Sequence, residues 1–254
     1  MSWLDLPRVP EPEVMDDSDE VDAYASAAAQ AFLDHIDDTF VDHALRLVRG
    51  RPTAAGGRAL DIGTGPGQIV LKLVRRLPAW HFTGVDRSAN MIKQARASVA
   101  QALLPVQTAG TDQGTQTGCR VSFFVADGNR LPFPDASFDV VMCNSVLHHL
   151  AEPQRLFSEV ARLVKPDGAI LIRDLRRPSR LAYPLHVRWY GRHYSGLMYK
   201  LYCASVRAAY TPSELEAMLR ASPLANAGAR VFTHHRTHLG LERPAKKLMP
   251  GQAR

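Results

Sequence analysis

The stretch Ala-Leu-Asp-Ile-Gly-Thr-Gly-Pro-Gly at residues 59–67 decides the fold of this chain. Its apolar first half predicts a strand, and its glycines let the backbone approach a ligand where a Cβ would clash. Residues 68–77 have helical spacing, so the turn leads into a helix N-terminus with free N–H groups. A dinucleotide-binding loop is the alternative, although the third glycine comes one residue early for that pattern.

The rest of the chain alternates between short apolar runs and amphipathic stretches. Strands are predicted at 58–62, 81–85, 121–125, 138–143, 168–173, 229–233 and 237–242. Helices are predicted at 67–77, 88–103 and 152–164. A further helix is expected to start at Thr211, which is followed by Pro212 and Glu214 as in a capping box. This alternation predicts an α/β fold with a Rossmann-like doubly wound seven-stranded sheet.

Polar residues follow the first four strands, at the edge where an open α/β sheet binds ligands. Asp86 ends the second strand about 20 residues after the glycines, where it could accept hydrogen bonds from a ribose diol. Asp127 follows the third strand, where its carboxylate could meet an adenine amino group, and Asn144 opens a polar turn after the fourth. The structural alternatives are a helix cap for Asp86 and a simple turn of Asp127 with Gly128.

In order and spacing, these motifs resemble the class I S-adenosylmethionine-dependent methyltransferases, particularly the ubiquinone/menaquinone-biosynthesis-like branch of small-molecule enzymes. The matching segments are ALDIGTGPG, FTGVDRSANMIKQAR, FFVADGNRLPFPDASFDVVMCNSVLHHL and LVKPDGAILIRD. We therefore expect residues 58–175 to be the cofactor-binding core. Residues 1–57 would form an N-terminal arm and helix, and residues 176–254 a helical acceptor-side insertion with the final strands of the same domain.

The resemblance implies a site for the cofactor S-adenosylmethionine along the strand ends. The turn residues would line its methionine and ribose parts: Gly63, Thr64, Gly65 and Gly67. Thr64 stands where cysteine is commoner in the family, and Asp61 would orient the cofactor's amino group. The residues around the ribose hydroxyls and the adenine would be Asp86, Arg87, Met91, Asp127 and Gly128.

The same resemblance places three residues near the sulfonium: Asn144, through its backbone carbonyl, Ser145 and His149. No catalytic residue is assigned, and His149, Asp174 and Tyr24 are the candidates. Further acceptor contacts are expected from a pool formed by Arg173, Tyr183, Arg188, Tyr190, Arg192, Tyr194 and Tyr199.

We predict an enzyme that methylates a small-molecule acceptor by in-line displacement. The sulfonium methyl group is already activated, so proximity and orientation could lower the barrier by about 7–11 kcal/mol. A general base is needed only if the acceptor must lose a proton. The alternatives are an RNA methyltransferase and a non-catalytic partner protein that binds S-adenosylmethionine.

The net charge of +6 conceals a gradient along the chain. Residues 1–50 carry three arginines against twelve acidic residues, whereas residues 176–254 carry fourteen basic residues against three glutamates. Attraction to an anionic substrate, a nucleic acid or a membrane surface is one interpretation. We favour the other, in which the acidic N-terminal segment packs near the basic C-terminal part, because no block of five basic residues occurs.

Three cysteines far apart predict neither a disulfide framework nor a zinc site. We expect no metal, because His148 and His149 are neighbours on a helix and should not face one another. His148 is expected to be a packed surface histidine. No apolar run is long enough for a membrane span and no signal peptide is apparent, so we expect a cytoplasmic protein. Because the basic residues are dispersed, we expect a small molecule and not a nucleic acid as its partner. The oligomeric state is left open, with a homodimer as one option.

Overall fold

The computed structural model of this chain describes residues 3–11, 27–49, 56–103 and 120–246. Within them, seven strands form one sheet in the order β3-β2-β1-β4-β5-β7-β6. The strands are β1 Arg58–Ile62, β2 His81–Asp86, β3 Arg120–Val125, β4 Phe138–Asn144, β5 Val164–Leu175, β6 Arg230–His234 and β7 His238–Arg243. Strands β1 to β5 pair in parallel, whereas β7 is antiparallel to β5 and β6. The predicted doubly wound α/β fold is confirmed.

Helices cover both faces of this sheet. They are α1 Ala27–Val48, α2 Gln68–Arg76, α3 Ala89–Leu103, α4 Pro153–Leu163, α5 Tyr183–Tyr190, α6 Gly196–Ala208, α7 Pro212–Arg220 and α8 Pro223–Asn226. Two short 3₁₀ helices follow β4 and α5, at Leu147–His149 and Gly191–His193. In the described part of the chain, none of the helices has the length and apolar character needed to cross a bilayer.

Two apolar cores, one on each face of the sheet, hold these helices in place. Phe40 of α1, Val70 of α2 and Ile92 of α3 belong to one core. Phe157 of α4 and Leu215 of α7 belong to the other. Burying each such side chain contributes about 1.5–3 kcal/mol. Because both faces are covered, the carboxyl ends of the parallel strands are left as the open edge of the domain.

Strand β5 is longer than the sequence predicts. It starts at Val164 instead of residue 168, because Val164 already pairs with Phe138 before the register shifts between Phe138 and Val140. Gly168 allows this irregular stretch, since a Cβ there would lie 2.9 Å from the Asp139 carbonyl oxygen. The strand also ends two residues later than predicted, at Leu175 instead of residue 173, so Arg173 and Asp174 lie within its carboxyl end.

Acidic residues of α1 pair mainly with the neighbouring helix α2. Lys72 contacts Asp34 at 2.7 Å and Asp38 at 2.6 Å. The N-terminal segment 3–11 instead forms backbone hydrogen bonds with the C-terminal third of the chain, and Arg180 N donates to Leu4 O at 2.9 Å. The acidic residues of α1 therefore pair with α2, whereas the N-terminal segment 3–11 packs near the basic C-terminal part of the chain. The acidic cluster at residues 16–20 lies outside the described residues.

Helix α7 begins with the capping box that the sequence predicts. The backbone N–H of Glu214 donates to the Thr211 hydroxyl at 3.3 Å, and the backbone N–H of Thr211 donates to the Glu214 carboxylate at 2.8 Å. Glu214 also pairs with Arg177, which fixes the start of α7 against the end of β5. By contrast Ser195, at the start of α6, makes no side-chain capping bond.

We expect Thr211→Ala to lower the free energy of unfolding by about 1 kcal/mol, because it removes the acceptor for an N-terminal N–H group of α7. Ser195→Ala is the matched control and should change the free energy by less than about 0.5 kcal/mol. Urea denaturation followed by circular dichroism measures both. Equal losses in the two variants would contradict the assigned cap.

Candidate functional site

A cavity of about 590 Å³ opens at the carboxyl ends of β1 to β5. Of the thirteen residues predicted to bind the cofactor, ten line it: Gly63, Gly65, Asp86, Arg87, Met91, Asp127, Gly128, Asn144, Ser145 and His149. Asp61, Thr64 and Gly67 lie behind its wall, so a direct cofactor contact of these three stays a prediction. Tyr24 lies outside the described residues.

The glycine turn after β1 adopts a conformation that only glycine takes without strain. Gly63, Gly65 and Gly67 have φ angles of 72°, 52° and 80°. A Cβ on Gly65 would meet nothing within 4 Å, because it would project into open space at the cavity wall. A Cβ on Gly67 would instead lie 3.2 Å from Ala95 and from Phe123. Gly65 therefore leaves room for a ligand, whereas Gly67 lets α2 pack against the protein.

Asp86, at the end of β2, holds this turn in place. Its Oδ2 accepts a hydrogen bond from Gly65 N and its Oδ1 accepts one from Ser88 N, both at 2.9 Å. The cap of α3 is Ser88, whose hydroxyl accepts a hydrogen bond from Met91 N at 3.1 Å. The helix-cap alternative for Asp86 is therefore wrong. Each carboxylate oxygen can still accept a further hydrogen bond from a ligand in the cavity.

Asp61 is a buried carboxyl group behind the turn. Only 2% of it is exposed, and its Oδ2 has no hydrogen-bond partner among the described residues. Burial raises the pKa of Asp61 to about 7, against the opposing effect of the Thr64 hydroxyl. An unsatisfied buried acceptor of this kind fits a ligand that brings a cationic or hydrogen-bond-donating group.

Two further strand ends complete this half of the cavity. Asp127 is exposed and starts a turn, because its Oδ1 accepts a hydrogen bond from Asn129 N at 2.9 Å. The Asn144 side chain accepts a hydrogen bond from Arg173 Nε at 3.0 Å, which leaves its backbone at the cavity. Ser145 has a φ of 57°, a strained conformation for a residue other than glycine, and such strain is common at functional sites.

The prediction that His148 lies on the surface is wrong. Only 2% of it is exposed, and its Nδ1 lies 2.6 Å from Asp174 Oδ1. The second carboxylate oxygen of Asp174 accepts a hydrogen bond from the backbone N–H of His148 at 2.7 Å. Asp174 itself is fully buried and does not line the cavity, whereas His148 does. Strand β5 thus orients the imidazole through a single carboxylate.

Charges around this pair displace both of its pKa values. Burial disfavours the imidazolium form, but the charge and hydrogen bond of Asp174 and the charge of Glu11 outweigh it and raise the pKa of His148. Burial also disfavours the carboxylate, but His148 and two backbone N–H groups lower the pKa of Asp174. The pair is therefore an ionic or strongly hydrogen-bonded unit at the cavity wall.

The rings of His148 and His149 lie close together, contrary to the expectation for helical neighbours. Their centroids are 4.1 Å apart, on the tight 3₁₀ turn after β4. Glu11 reaches both from the N-terminal segment, 3.6 Å from His148 Nε2 and 3.5 Å from His149 Nδ1. The sequence does not predict this role of Glu11, because the residue lies more than 130 positions before the two histidines.

The far half of the cavity is formed by helices and by the final strands. Its walls include Trp189, Tyr190, Arg192, Tyr194 and Tyr202 from the α5–α6 region. From the pool predicted for acceptor contacts, Tyr190, Arg192 and Tyr194 line the cavity, whereas Arg173, Tyr183, Arg188 and Tyr199 do not.

Burial keeps the titratable groups of this far half mostly neutral. It lowers the pKa of His234 to about 4 and that of His238 to about 3. It raises the pKa of Asp37 to about 7 and also raises the pKa values of the Tyr194 and Tyr202 hydroxyls. At neutral pH His234, His238, Tyr194 and Tyr202 are therefore uncharged, whereas Arg192 adds a positive charge to the same walls.

Comparisons with known proteins agree with this geometry. The family described as "Methyltransferase domain" matches residues 60–172. The ubiquinone/menaquinone biosynthesis C-methyltransferase UbiE of Desulfotalea psychrophila is 30% identical over 155 residues, covering 61% of this chain and 55% of the relative. The 27-O-demethylrifamycin SV methyltransferase of Amycolatopsis mediterranei is 31% identical over 129 residues, covering 51% and 42%. The chain thus spans about half the length of these relatives.

A solved structure shows the same fold at low sequence identity. The plantazolicin methyltransferase BpumL, crystallised with a triazolic desmethylPZN analog and SAH, superposes with a TM-score of 0.63 at 16% identity. The superposition covers 91% of this chain and 92% of that protein. Residues 60–172, which contain the glycine turn, are therefore similar to methyltransferase domains, and the chain as a whole shares its fold with this solved methyltransferase.

Proposed function

We propose that this protein transfers a methyl group from S-adenosylmethionine to an oxygen atom of an uncharged, largely apolar small molecule. One observation carries the proposal. The glycine turn and Asp86 line one end of the cavity, aromatic side chains line its other end, and His148 lines the same cavity. Its volume of about 590 Å³ lies in the range typical of small-molecule sites.

The residues of the first half fit the cofactor. Gly65 leaves open space at the wall, Asp86 has acceptor capacity for a ribose diol, and Asp61 provides an unsatisfied buried acceptor. S-adenosylmethionine, when bound, supplies an activated methyl group on a positively charged sulfur. The chain's own task is then to hold the acceptor close to that group and to exclude water.

The residues of the second half favour an acceptor without formal charge. Tyr194, Tyr202, His234 and His238 are neutral at neutral pH, so a charged acceptor packed against them would lose its hydration without a charged partner there. An aromatic or aliphatic ring system with a hydroxyl group suits these walls better. A polynucleotide suits them less, because its recognition depends on phosphate contacts.

A hydroxyl acceptor must lose its proton, and we propose His148 as the base that takes it, because this residue lines the cavity. Asp174 binds Nδ1 and thereby directs the Nε2 lone pair of the neutral ring away from β5. Its raised pKa keeps His148 a stronger base than a free imidazole. The names of the two relatives described above state methylation of carbon in one and of oxygen in the other.

We expect Gly65→Ala to weaken S-adenosylmethionine binding by about ten- to a hundredfold, because the new Cβ would occupy ligand space. Gly196→Ala is the matched control: Gly196 has a φ of 54°, close to the 52° of Gly65, and its Cβ would also meet nothing within 4 Å. Calorimetry with S-adenosylmethionine and with its demethylated product measures the two affinities. Equal losses would show that backbone strain, and not cavity space, decides binding.

We expect Asp174→Asn to lower kcat by about 10²- to 10⁴-fold, the usual contribution of a general base. It should also move the acidic limb of the pH–rate profile to lower pH, because removing the carboxylate removes the main influence that raises the pKa of His148. The profile is measured on an acceptor found by incubating the protein with methyl-labelled cofactor and a metabolite extract.

Asp139→Asn provides the control for this variant. Asp139 is also a buried carboxylate, paired with Lys165 at 2.9 Å, but it lies at the opposite end of β4. It should reduce stability without moving the pH–rate profile. An unchanged limb in Asp174→Asn would reject His148 as the base, and a failure to label any metabolite fraction would reject methyl transfer to small molecules.

A further inference from the structure

One short segment of the chain exposes an unusual amount of apolar surface. Nine large apolar side chains are exposed among the described residues, and four of them lie between residues 181 and 197. Leu181, Leu185 and Trp189 are 66%, 69% and 59% exposed. Because they are spaced four residues apart, they form one stripe along α5 and the turn before it.

The N-terminal segment extends this stripe. Arg180 N donates to Leu4 O at 2.9 Å, which places Leu4 beside the turn that carries Leu181. Leu4 and Trp3 are 38% and 70% exposed. We call the surface formed by these two residues with Leu181, Leu185 and Trp189 the α5 surface.

Positive charge surrounds the helical part of the α5 surface in sequence, whereas Asp5 follows Leu4 in its N-terminal part. Residues 175–213 contain seven lysines and arginines and not one acidic residue. Arg180, Arg188 and Arg192 are exposed beside the stripe, and the Arg192 guanidinium lies 4.5 Å from the centre of the Trp189 ring. Exposed leucine and tryptophan framed by arginine is the composition of helices that lie in a bilayer interface.

We propose that the α5 surface docks peripherally on an anionic lipid bilayer. Exposed apolar side chains can enter the headgroup and acyl boundary, while the flexible stems of arginine keep their charge at the lipid phosphates. A second copy of the chain fits less well, because symmetric association would bring the same arginines together. An RNA would satisfy the arginines but would leave the leucine stripe in water.

The cavity opens beside the α5 surface. Trp189 belongs both to the stripe and to the cavity wall, and Arg192 lines the cavity as well. A docked protein would therefore present the aromatic half of its cavity to the bilayer, and an apolar acceptor could enter without crossing water. This route rests on the proposed function, whereas docking itself does not.

Flotation with lipid vesicles tests the docking. We expect the full chain to float with vesicles of phosphatidylcholine mixed with an equal part of phosphatidylglycerol, and at least about tenfold less with phosphatidylcholine alone. Binding should fall as salt is raised. Leu181→Ser combined with Leu185→Ser should reduce the partition coefficient more than about tenfold, because less apolar surface enters the interface.

Matched variants separate docking from general effects. Arg180→Glu combined with Arg188→Glu should abolish the preference for phosphatidylglycerol, whereas Arg75→Glu combined with Arg155→Glu makes the same charge change on other helices and should not. Val125→Ser is the apolar control on β3. Unchanged S-adenosylmethionine binding and circular dichroism show that each variant is folded.

Three results would overturn the proposal. The first is a failure of the full chain to float with either vesicle, and the second is equal loss in the α5-surface and control variants. The third is a dimer in light scattering, or a salt-sensitive RNA complex, that the Leu181 and Leu185 changes disrupt while flotation is unaffected. Because flotation needs no acceptor, a failed methyl-transfer assay leaves this test valid.

Discussion

Two adjacent buried charges at the carboxyl end of β5 determine how the cavity is built. Arg173 is 1% exposed and Asp174 is fully buried. Because successive residues of a strand face opposite sides of the sheet, they serve different elements. Arg173 donates to Thr39 Oγ1 at 2.7 Å and to Ile36 O at 3.0 Å, and so fixes α1 above the cavity. Asp174 fixes the turn that carries His148.

Each of these charges is tolerated because several partners compensate its burial. Burial lowers the pKa of Arg173 to about 10, so the guanidinium stays charged at neutral pH, with Asp37 and Asp174 opposing that change. Removing one partner of a buried pair typically costs about 3–5 kcal/mol, since an uncompensated charge remains. We infer that replacing Arg173 would displace α1 at the cavity wall and that replacing Asp174 would displace the imidazole of His148.

Sequence reasoning predicted the sheet and the cofactor half well, because both depend on local patterns. The short apolar runs predict strands β1 to β7. The positions of the glycines and of Asp86 then follow from where β1 and β2 end in the sequence. The environment of His148 was mispredicted, because nothing near it in sequence shows that Asp174 lies 2.6 Å away across the sheet. Glu11 and Asp37 escaped notice for the same reason: tertiary packing of distant segments makes them part of the site.

A carboxylate partner alone does not make a histidine a base in this fold. His43 lies 2.6 Å from Glu242, as close as His148 is to Asp174, yet its pKa is lowered. Burial is the largest cause in both, but Arg46 and Arg173 also act against protonation of His43. His148 instead has a second carboxylate, that of Glu11, 3.6 Å from its Nε2. The N-terminal segment that carries Glu11 also carries Trp3 and Leu4, so the segment that tunes the imidazole is the one that extends the apolar α5 surface.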